Sequence, residues 1–247
     1  MQGFARRKFA ENDAFMPTGN GSRMFAKLLL QNLLWFGGMG AVLFVSAGTL
    51  HWPTAWMFLG TMVVFGLLGG LWLARTDPAL LAERMRLTMQ PDQPIADKKF
   101  MLAFGVVALA WLVAIGLDRR LHGSHFPPAL EALGLAVLLL SNGFIMWVMQ
   151  KNSFAAPVVK LQSERGHRVI DSGPYAWVRH PMYSGSLLFL VGTSLLLGSW
   201  WGVAISPLFA VLFGIRTGIE ERALTGGLPG YVDYASKVRY RLFPGVW

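Results

Sequence analysis

Two apolar runs separated by a two-residue break decide the fold, and residues 179–222 contain them: RHPMYSGSLLFLVGTSLLLGSWWGVAISPLFAVLFGIRTGIEER. The runs are 182–197 and 200–215, and Gly198 and Ser199 lie between them. Because so short a break leaves room only for a tight turn, the runs predict a helical hairpin. At 1.5 Å per residue, each run crosses about 30 Å of hydrocarbon only if its helix extends past the run.

Four apolar runs precede the hairpin, at 28–50, 54–74, 100–117 and 129–149. A membrane-spanning helix needs about 20 mostly apolar residues, which these runs approach or reach. Together with the hairpin, they predict an all-α integral membrane protein with about six transmembrane helices, the last two of which form the short hairpin.

The composition excludes an ordinary soluble domain. Hydrophobic residues make up 54% of the 247 residues and charged residues only 14%, whereas a typical globular chain has about 25% charged residues. The chain contains no cysteine, which excludes a disulfide scaffold and a thiolate metal site, and we expect no bound metal. Residues 1–24 are polar and of mixed charge, so we expect no cleavable signal peptide there.

The basic residues are distributed unequally between the two faces that the predicted helices define. Of the 22 Lys and Arg residues, 20 fall in the N-terminal arm, the 75–99 and 151–179 segments and the tail from Arg216, whereas Arg119 and Arg120 fall on the opposite face. Because Lys and Arg concentrate in cytoplasmic loops, we expect both termini in the cytoplasm. This topology accounts for the net charge of +9, and we expect no nucleic-acid partner.

The polar segments between the runs predict two small elements. Asp77 and Pro78 predict the start of a short interfacial helix over 79–87, since Asp is a favoured N-cap and Pro suits the first helical turn. Residues 157–162 and 167–170 favour extended structure, and they predict a small β-hairpin on the membrane surface.

One free end of the helical hairpin is rich in polar groups. Pro181 suits the first helical turn, so a helix that begins there has free backbone N–H groups and the positive end of its dipole. Such an end attracts a carboxylate or phosphate, and Arg179, His180 and Tyr183 would surround it. The alternative is an interfacial Arg and Tyr that simply anchor a helix end.

The other free end carries two adjacent carboxylates. On a helix, Arg216 and Glu220 are four residues apart and share a face, whereas Glu221 lies about 100° further round. The hairpin should return them to the membrane level of His180. Two carboxylates beside a helix N-terminus suit a ligand with an ammonium group and a carboxylate, or one with hydroxyls and a carboxylate. The alternative is a solvated helix end with surface ion pairs worth about 0–1 kcal/mol.

Motifs between residues 166 and 234 form a set. They are Gly166-His167-Arg168-Val169-Ile170, Gly173-Pro174-Tyr175, Arg179-His180-Pro181-Met182-Tyr183, Arg216 with Glu220-Glu221, and Gly230-Tyr231 with Tyr234. This set resembles the isoprenylcysteine carboxyl methyltransferase family, part of a wider group of integral-membrane methyltransferases that includes phospholipid methyltransferases. The chain departs from the family at Leu228-Pro229-Gly230-Tyr231, where members often have Phe-Gly-x-x-Tyr, and the acceptor therefore stays open.

The resemblance implies S-adenosylmethionine as the methyl donor, held on the cytoplasmic side. The residues that it assigns to cofactor binding are His167, Gly173, Tyr175, Arg179, His180, Pro181, Tyr183 and Glu220. Arg216 and Glu221 match the Arg and the second Glu that are important for activity in the carboxyl methyltransferases of the family. Arg216 could hold an acceptor carboxylate bidentately, while Glu221 orients Arg216 or the cofactor.

We expect three regions: a cytoplasmic N-terminal arm (1–27), a four-helix transmembrane region (28–150) and a catalytic region (151–247) with a small cytoplasmic cofactor-binding part. The resemblance implies a lipid or lipid-modified acceptor, most simply a carboxylate that is esterified by in-line methyl transfer. The closing segment 238–247 (VRYRLFPGVW) and residues 77–84 (DPALLAER) resemble bacterial members, and this resemblance implies a bacterial inner membrane.

Other functions fit parts of the pattern. Membrane sterol or enone reductases that use NADPH share an H-P-x-Y element, although Met182 stands where they tend to have Asn. A phospholipid, amine or thiol methyltransferase and a non-catalytic membrane scaffold are further alternatives. A carboxylate acceptor needs no general base, whereas an amine needs one, for which His180 or Glu221 could serve. His180 could instead be structural and cap the turn before the helix.

Overall fold

The structure is a computed structural model that describes residues 18–86, 89–91 and 93–247, and these residues form helices without a β-strand. The helices are α1 (Thr18–Ala47), α2 (Pro53–Thr76), α3 (Pro78–Arg84), α4 (Ile95–His122), α5 (Pro128–Lys151), α6 (Pro181–Leu196), α7 (Trp200–Gly227) and α8 (Tyr231–Lys237). Two short 3-10 turns, Ser163–Arg165 and Gly173–Ala176, lie between α5 and α6. The all-α prediction is confirmed for the described part of the chain.

Within the described residues, five helices are long and apolar enough to cross a membrane: α1, α2, α4, α5 and α7. α6 is apolar but has only 16 residues, about 24 Å at 1.5 Å per residue. The expected extension of the hairpin helices is confirmed for α7, which continues to Gly227, and is wrong for α6. α6 stays short because Pro181 limits it at one end, while Gly198, with a left-handed φ of 65°, turns the chain after the other.

The N-terminal arm predicted for residues 1–27 overlaps the first helix, because α1 already begins at Thr18. Residues 1–17, and with them part of the arm's basic charge, lie outside the described residues. The apolar run at 28–50 therefore predicts the end of this helix, at Ala47, better than its start.

The short helix α3 begins where Asp77 and Pro78 predict. Asp77 accepts a hydrogen bond from the backbone N–H of Leu80 at 2.9 Å, and Pro78 is the first helical residue. The helix ends at Arg84, whereas Leu87, the last residue of the predicted helix, lies outside the described residues.

The small β-hairpin predicted from residues 157–162 and 167–170 is wrong, because the described residues there form a 3-10 turn and no strand. Side chains take the backbone groups that a hairpin would pair. The backbone N–H of Val159 donates to Asp97 at 2.9 Å, and the ring of His167 accepts another N–H of the segment. A carboxylate from α4 and the ring of His167 therefore take up backbone groups that strand pairing would use.

α5 and α6 pack closely, and glycines permit the contact. A Cβ added to Gly192 would lie 2.7 Å from the backbone nitrogen of Leu138, and one added to Gly134 would meet the backbone of Leu196. Small residues are typical of such interfaces, since packing rather than a hydrophobic driving force holds membrane helices together. The short α6 is thereby held along α5 and beside α7.

A buried carboxylate joins α4 to the start of α7 at the end of the bundle opposite the α6 N-terminus, called here the far end. The side chain of Asp118, a residue only 1% exposed, accepts hydrogen bonds from two hydroxyls and one backbone N–H. The donors are Ser124 Oγ at 2.7 Å, Ser199 Oγ at 2.8 Å and the N–H of Trp201 at 3.2 Å. Both oxygens of this buried charge thus have partners, which stabilises it.

Candidate active site

The hairpin brings its two polar ends together where α6 begins and α7 ends, called here the site end. Tyr183 Oη donates to Glu220 Oε2 at 2.6 Å. His180 lies between the two carboxylates: its Nδ1 is 3.4 Å from Glu220 Oε2, and its Nε2 is 3.3 Å from Glu221 Oε1. The two motifs therefore meet, as the short break of the hairpin predicts.

Two arginines hold Glu221 in place. Arg179 Nε lies 2.7 Å from Glu221 Oε1, and Arg241 Nε donates to Glu221 Oε2 at 2.9 Å. Together with His180, these side chains surround the carboxylate with basic groups from the α6 start and from the C-terminal segment. Glu221 is thus positioned to orient His180 and Arg179.

The C-terminal segment pairs with the backbone that precedes α6. The N–H groups of Arg179 and His180 donate to the carbonyl oxygens of Tyr240 and Arg241, both at 2.9 Å. These amides bind the chain's own tail and are therefore not open to an anionic ligand. The tail completes the site through both its backbone and its Arg241 side chain.

His180 is 5% exposed, and its neighbours favour the charged imidazolium. Burial alone would lower the pKa of His180, but the hydrogen bonds and negative charges of Glu220 and Glu221 outweigh burial and raise that pKa above its ordinary value. A general base must be neutral to accept a proton, so this environment suits a charged bridge better than a base. The side chain makes no capping hydrogen bond to α6 within the described residues.

A cavity of about 880 Å³, partly open to solvent, lies beside this network. Like small-molecule sites, it combines apolar walls with a few polar groups. Four parts of the chain form the walls: the segment between α5 and α6, the first turn of α6, the last turns of α7, and the helix α8. The polar lining residues include Asn152, Lys160, His167, Arg168, Glu220 and Tyr231, and the apolar ones include Phe154, Leu161, Val169 and Leu224.

One buried hydroxyl in the cavity wall lacks a partner. Tyr231 Oη makes no hydrogen bond to any of the described residues. Buried polar groups are nearly always paired, so an unpaired one in a cavity wall points to a ligand or a water molecule. His167 faces the same cavity, and burial is the main reason why the pKa of His167 lies below its ordinary value, which favours a neutral ring.

The structure divides the predicted site residues into two groups. Those that line the cavity are His167, Tyr175, Arg179, His180, Tyr183 and Glu220. The described lining does not include Gly173, Pro181, Arg216 or Glu221. Gly173 adopts a left-handed φ of 61° at the start of the 3-10 turn, and Pro181 begins α6. These two shape the backbone of the site, whereas Glu221 supports its side chains.

Arg216 is buried beside the cavity wall, with 9% of its surface exposed. Its Nε lies 3.3 Å from Asp97 Oδ1, and its guanidinium also donates to the carbonyl oxygen of Pro157. The sequence-based expectation that Glu221 orients Arg216 is not met, because the described partners of Glu221 are His180 and the two other arginines.

Sequence reasoning missed several residues of the site, namely Asp97, Lys160, Arg168, Tyr231 and Arg241, in the roles that the structure gives them. A carboxylate in the first turn of a long apolar helix is costly unless it is partnered, so Asp97 carried a usable signal. Arg241 carried none, because nothing local to the tail indicates that it returns to the start of α6.

The fold and the cavity define a class: an integral membrane protein of helices with a small-molecule cavity where two neighbouring helices meet. A family model described as phospholipid methyltransferase matches residues 130–227, which contain most of α5 and the whole of α6 and α7. The chain is 31% identical to protein-S-isoprenylcysteine O-methyltransferase B of Arabidopsis thaliana over 163 residues, which is 58% of this chain and 73% of that protein. This chain belongs to the isoprenylcysteine carboxyl methyltransferase family of integral-membrane methyltransferases.

Two further proteins are similar over different extents. The cobalt-zinc-cadmium resistance protein CzcN of Cupriavidus metallidurans is 25% identical over 119 residues, which is 48% of this chain and 51% of that protein. A solved structure of a eukaryotic intramembrane Ras methyltransferase, an isoprenylcysteine carboxyl methyltransferase, is 21% identical, with 95% of this chain and 89% of that chain covered and a TM-score of 0.49. The chain spans about half or less of the length of two of the curated relatives that it matches.

Proposed function

We propose that this chain is a membrane-embedded methyltransferase that uses S-adenosylmethionine and acts on a lipidic acceptor. The observation that carries the proposal is the cavity at the site end, where the carboxylate of Glu220 and the unpaired hydroxyl of Tyr231 face apolar walls. A relative named protein-S-isoprenylcysteine O-methyltransferase supports the same reaction type. The acceptor that we propose is therefore the carboxylate of an isoprenylcysteine-type molecule.

The lining suits the chemical groups of S-adenosylmethionine. Glu220 would bind the ammonium group, while Arg168 and the Tyr231 hydroxyl would bind the carboxylate of the methionine part. The adenine ring would pack on apolar residues such as Phe154 and Leu161. Such a ligand would give the buried Tyr231 hydroxyl the hydrogen-bond partner that it lacks among the described residues.

The chemistry requires positioning more than proton transfer. When bound, S-adenosylmethionine supplies an electrophilic methyl group on a sulfonium centre, which passes in-line to a carboxylate oxygen. A carboxylate is already ionised at neutral pH, so no residue of this chain has to remove a proton. The charged His180 bridge then has the task of fixing Glu220 and Tyr183 in place, while the cavity walls exclude water.

Arg216 and Glu221 are proposed to be essential for turnover through the residues that they hold. Glu221 orients His180 and Arg179, which line the cavity. Arg216 binds the backbone of the cavity wall at Pro157.

The location of the site is proposed from the distribution of basic residues. We place the site end at the cytoplasmic face of a bacterial inner membrane, with both termini in the cytoplasm, since Lys and Arg are concentrated in the segments at that end. Residues 151–247 are the proposed catalytic region, and residues 28–150 are the proposed transmembrane region that supports it.

Calorimetric titration of the purified protein tests the donor. S-adenosylhomocysteine should bind, and NADPH should not. Binding of NADPH without binding of S-adenosylhomocysteine would instead support a reductase and contradict the proposal.

A methyl-transfer assay with labelled S-adenosylmethionine tests the acceptor. The substrate is an N-acetylated S-prenyl cysteine, and the matched controls are its carboxamide and the S-methyl analogue without the prenyl chain. Only the prenylated acid should be methylated, as a base-labile ester. Equal labelling of the carboxamide would reject a carboxylate acceptor, and equal labelling of the S-methyl analogue would reject a lipidic one.

A further inference from the structure

A charged pair lies buried between α4 and α7, outside the cavity. Asp97 is 0% exposed, although it stands in the first turn of a long apolar helix. Its Oδ2 accepts hydrogen bonds from Gln93 Nε2 at 2.7 Å and from the backbone N–H of Val159 at 2.9 Å, and its Oδ1 lies 3.3 Å from Arg216 Nε. A carboxylate buried to this degree at the end of a membrane helix is costly to keep, which suggests a function beyond packing.

The pair binds a short stretch of backbone at two points, one at its start and one in its middle. Arg216 binds the carbonyl oxygen of Pro157, and Asp97 binds the N–H of Val159. Residues 157–161, called here the strap, have neither helix nor strand, so these side-chain bonds replace secondary structure. Residues 158–161 of the strap line the cavity directly.

The guanidinium of Arg216 is held by an ion pair, a hydrogen bond and two aromatic rings. Its charge centre lies 5.2 Å from the centroid of the Phe100 ring and 5.7 Å from that of the Tyr183 ring. Along one edge, its Nε forms an ion pair with Asp97 and its Nη2 donates to Pro157. To grip an acceptor carboxylate bidentately through its Nε and Nη2 edge, Arg216 would have to release both partners and leave Asp97 as an unpaired buried charge.

We propose that Asp97 and Arg216 are a positioning pair that fixes the strap as one wall of the cofactor cavity, and that Arg216 does not bind the acceptor. The inference rests on the proposed function, in that the ligand of the cavity is S-adenosylmethionine. Its consequence is that loss of either charge weakens cofactor binding before it affects the acceptor.

A double-mutant cycle measures this coupling, with S-adenosylhomocysteine affinity as the readout. Asp97→Asn and Arg216→Gln should each weaken binding by about tenfold or more, because each leaves a buried partner unsatisfied. The double variant should bind S-adenosylhomocysteine as tightly as whichever single variant has the lower affinity, since both changes disrupt the same strap contact. Additive losses would contradict a shared function.

The matched control is Asp118→Asn, at the other end of α4. This carboxylate is as deeply buried as Asp97 and also bonds to hydroxyl and backbone donors, but it lies at the far end. It should lower thermal stability and leave the affinity for S-adenosylhomocysteine within about twofold of wild type. If Asp118→Asn weakened S-adenosylhomocysteine binding as much as Asp97→Asn does, general destabilisation would explain the effect at Asp97, and the proposal would be overturned.

Kinetics separate the two roles that Arg216 could have. Arg216→Lys keeps a positive charge beside Asp97 and should preserve the fold while it loses part of the strap contact. The KM for S-adenosylmethionine should rise by about threefold to tenfold, with the KM for the acceptor unchanged. A rise in the acceptor KM alone would assign Arg216 to the acceptor and reject a positioning role.

Hydrogen exchange on the wild-type protein needs no variant. The amide of Val159 should be protected in the free protein, and S-adenosylhomocysteine should protect the strap further. Exchange of this amide at the rate of an exposed loop would contradict the strap contact. A wild-type protein that protects Val159 but does not bind S-adenosylhomocysteine would reject the proposed function while leaving the Asp97 contact standing.

Discussion

The two ends of the α4–α7 pair both bury carboxylates, yet only one of them looks like a site. At the far end, Asp118 accepts two hydroxyls and a backbone N–H, and it joins α4 to α7. At the site end, Glu220 faces a cavity in which the hydroxyl of Tyr231 has no partner among the described residues. Buried charge alone therefore does not identify a site. The combination of a cavity with an unmet hydrogen bond does.

The largest effect that separates the two ends is expected from Glu220→Gln. Glu220 accepts the Tyr183 hydroxyl, lies 3.4 Å from His180 and lines the cavity, so its charge serves both the network and the proposed ligand. Methyl transfer from labelled donor should fall by about a hundredfold or more, since two charge-assisted bonds are weakened together. If the variant kept more than a tenth of wild-type turnover, Glu220 would be no more functional than the far-end carboxylate.

A smaller effect is expected from the tail. Arg241→Gln removes one of the cations that hold Glu221 and should reduce turnover by about tenfold, because the remaining cations keep Glu221 only partly oriented. Arg239→Gln is the matched control, since Arg239 is exposed and two residues away in the same segment. Equal activity of both variants would mean that the tail does not position Glu221.

At the far end, the effect should be on stability alone. In the wild type, hydroxyl groups donate hydrogen bonds to the Asp118 carboxylate. In Asp118→Asn, one of these donors would face an amide N–H₂, which is also a donor, so the free energy of unfolding should fall by about 1–3 kcal/mol. Turnover per folded molecule should stay at the wild-type level, as measured by methyl transfer after removal of unfolded protein. A loss of turnover without a loss of stability would mean that the far end contributes to catalysis, and the two ends would then not differ in function.

The smallest effect is a dependence of stability on pH through His180. Its folded-state pKa lies above its ordinary value, so the stabilisation is complete below the unfolded pKa of about 6.5 and is lost as the pH rises through the folded-state pKa. The unfolding temperature of the wild type should exceed that of His180→Asn by on the order of a few degrees at low pH, and the gap should narrow at higher pH. A gap that widens with pH would have the wrong sign for a bridging imidazolium.

Much of the fold follows from the lengths of the apolar runs, whereas the partners of the polar groups do not. The runs predict the helices, and the break at Gly198 and Ser199 predicts that His180 meets Glu221. The predicted β-hairpin fails because local propensity favours extended backbone but says nothing about Asp97, which lies 62 residues from Val159.

The same limit applies to the site. The motifs indicate which residues carry chemistry, and six of them do line the cavity. Their spacing does not reveal that Arg216 is already paired with Asp97, or that the amides before α6 bind the tail. Contacts of this kind depend on tertiary geometry, so a sequence pattern identifies the residue types but not their division between ligand binding and support.

The length of α6 links this chain to the thickness of its bilayer. A helix of about 24 Å is mismatched with a hydrocarbon layer of about 30 Å, and it cannot lengthen at its start because Pro181 and the tail pairing fix that point. We expect the lipids beside α6 to thin locally, or the head group of the proposed lipid acceptor to sink toward His180. Enzyme reconstituted in short-chain phospholipids should therefore turn over faster than the same enzyme in long-chain ones, so that acyl-chain composition sets its rate.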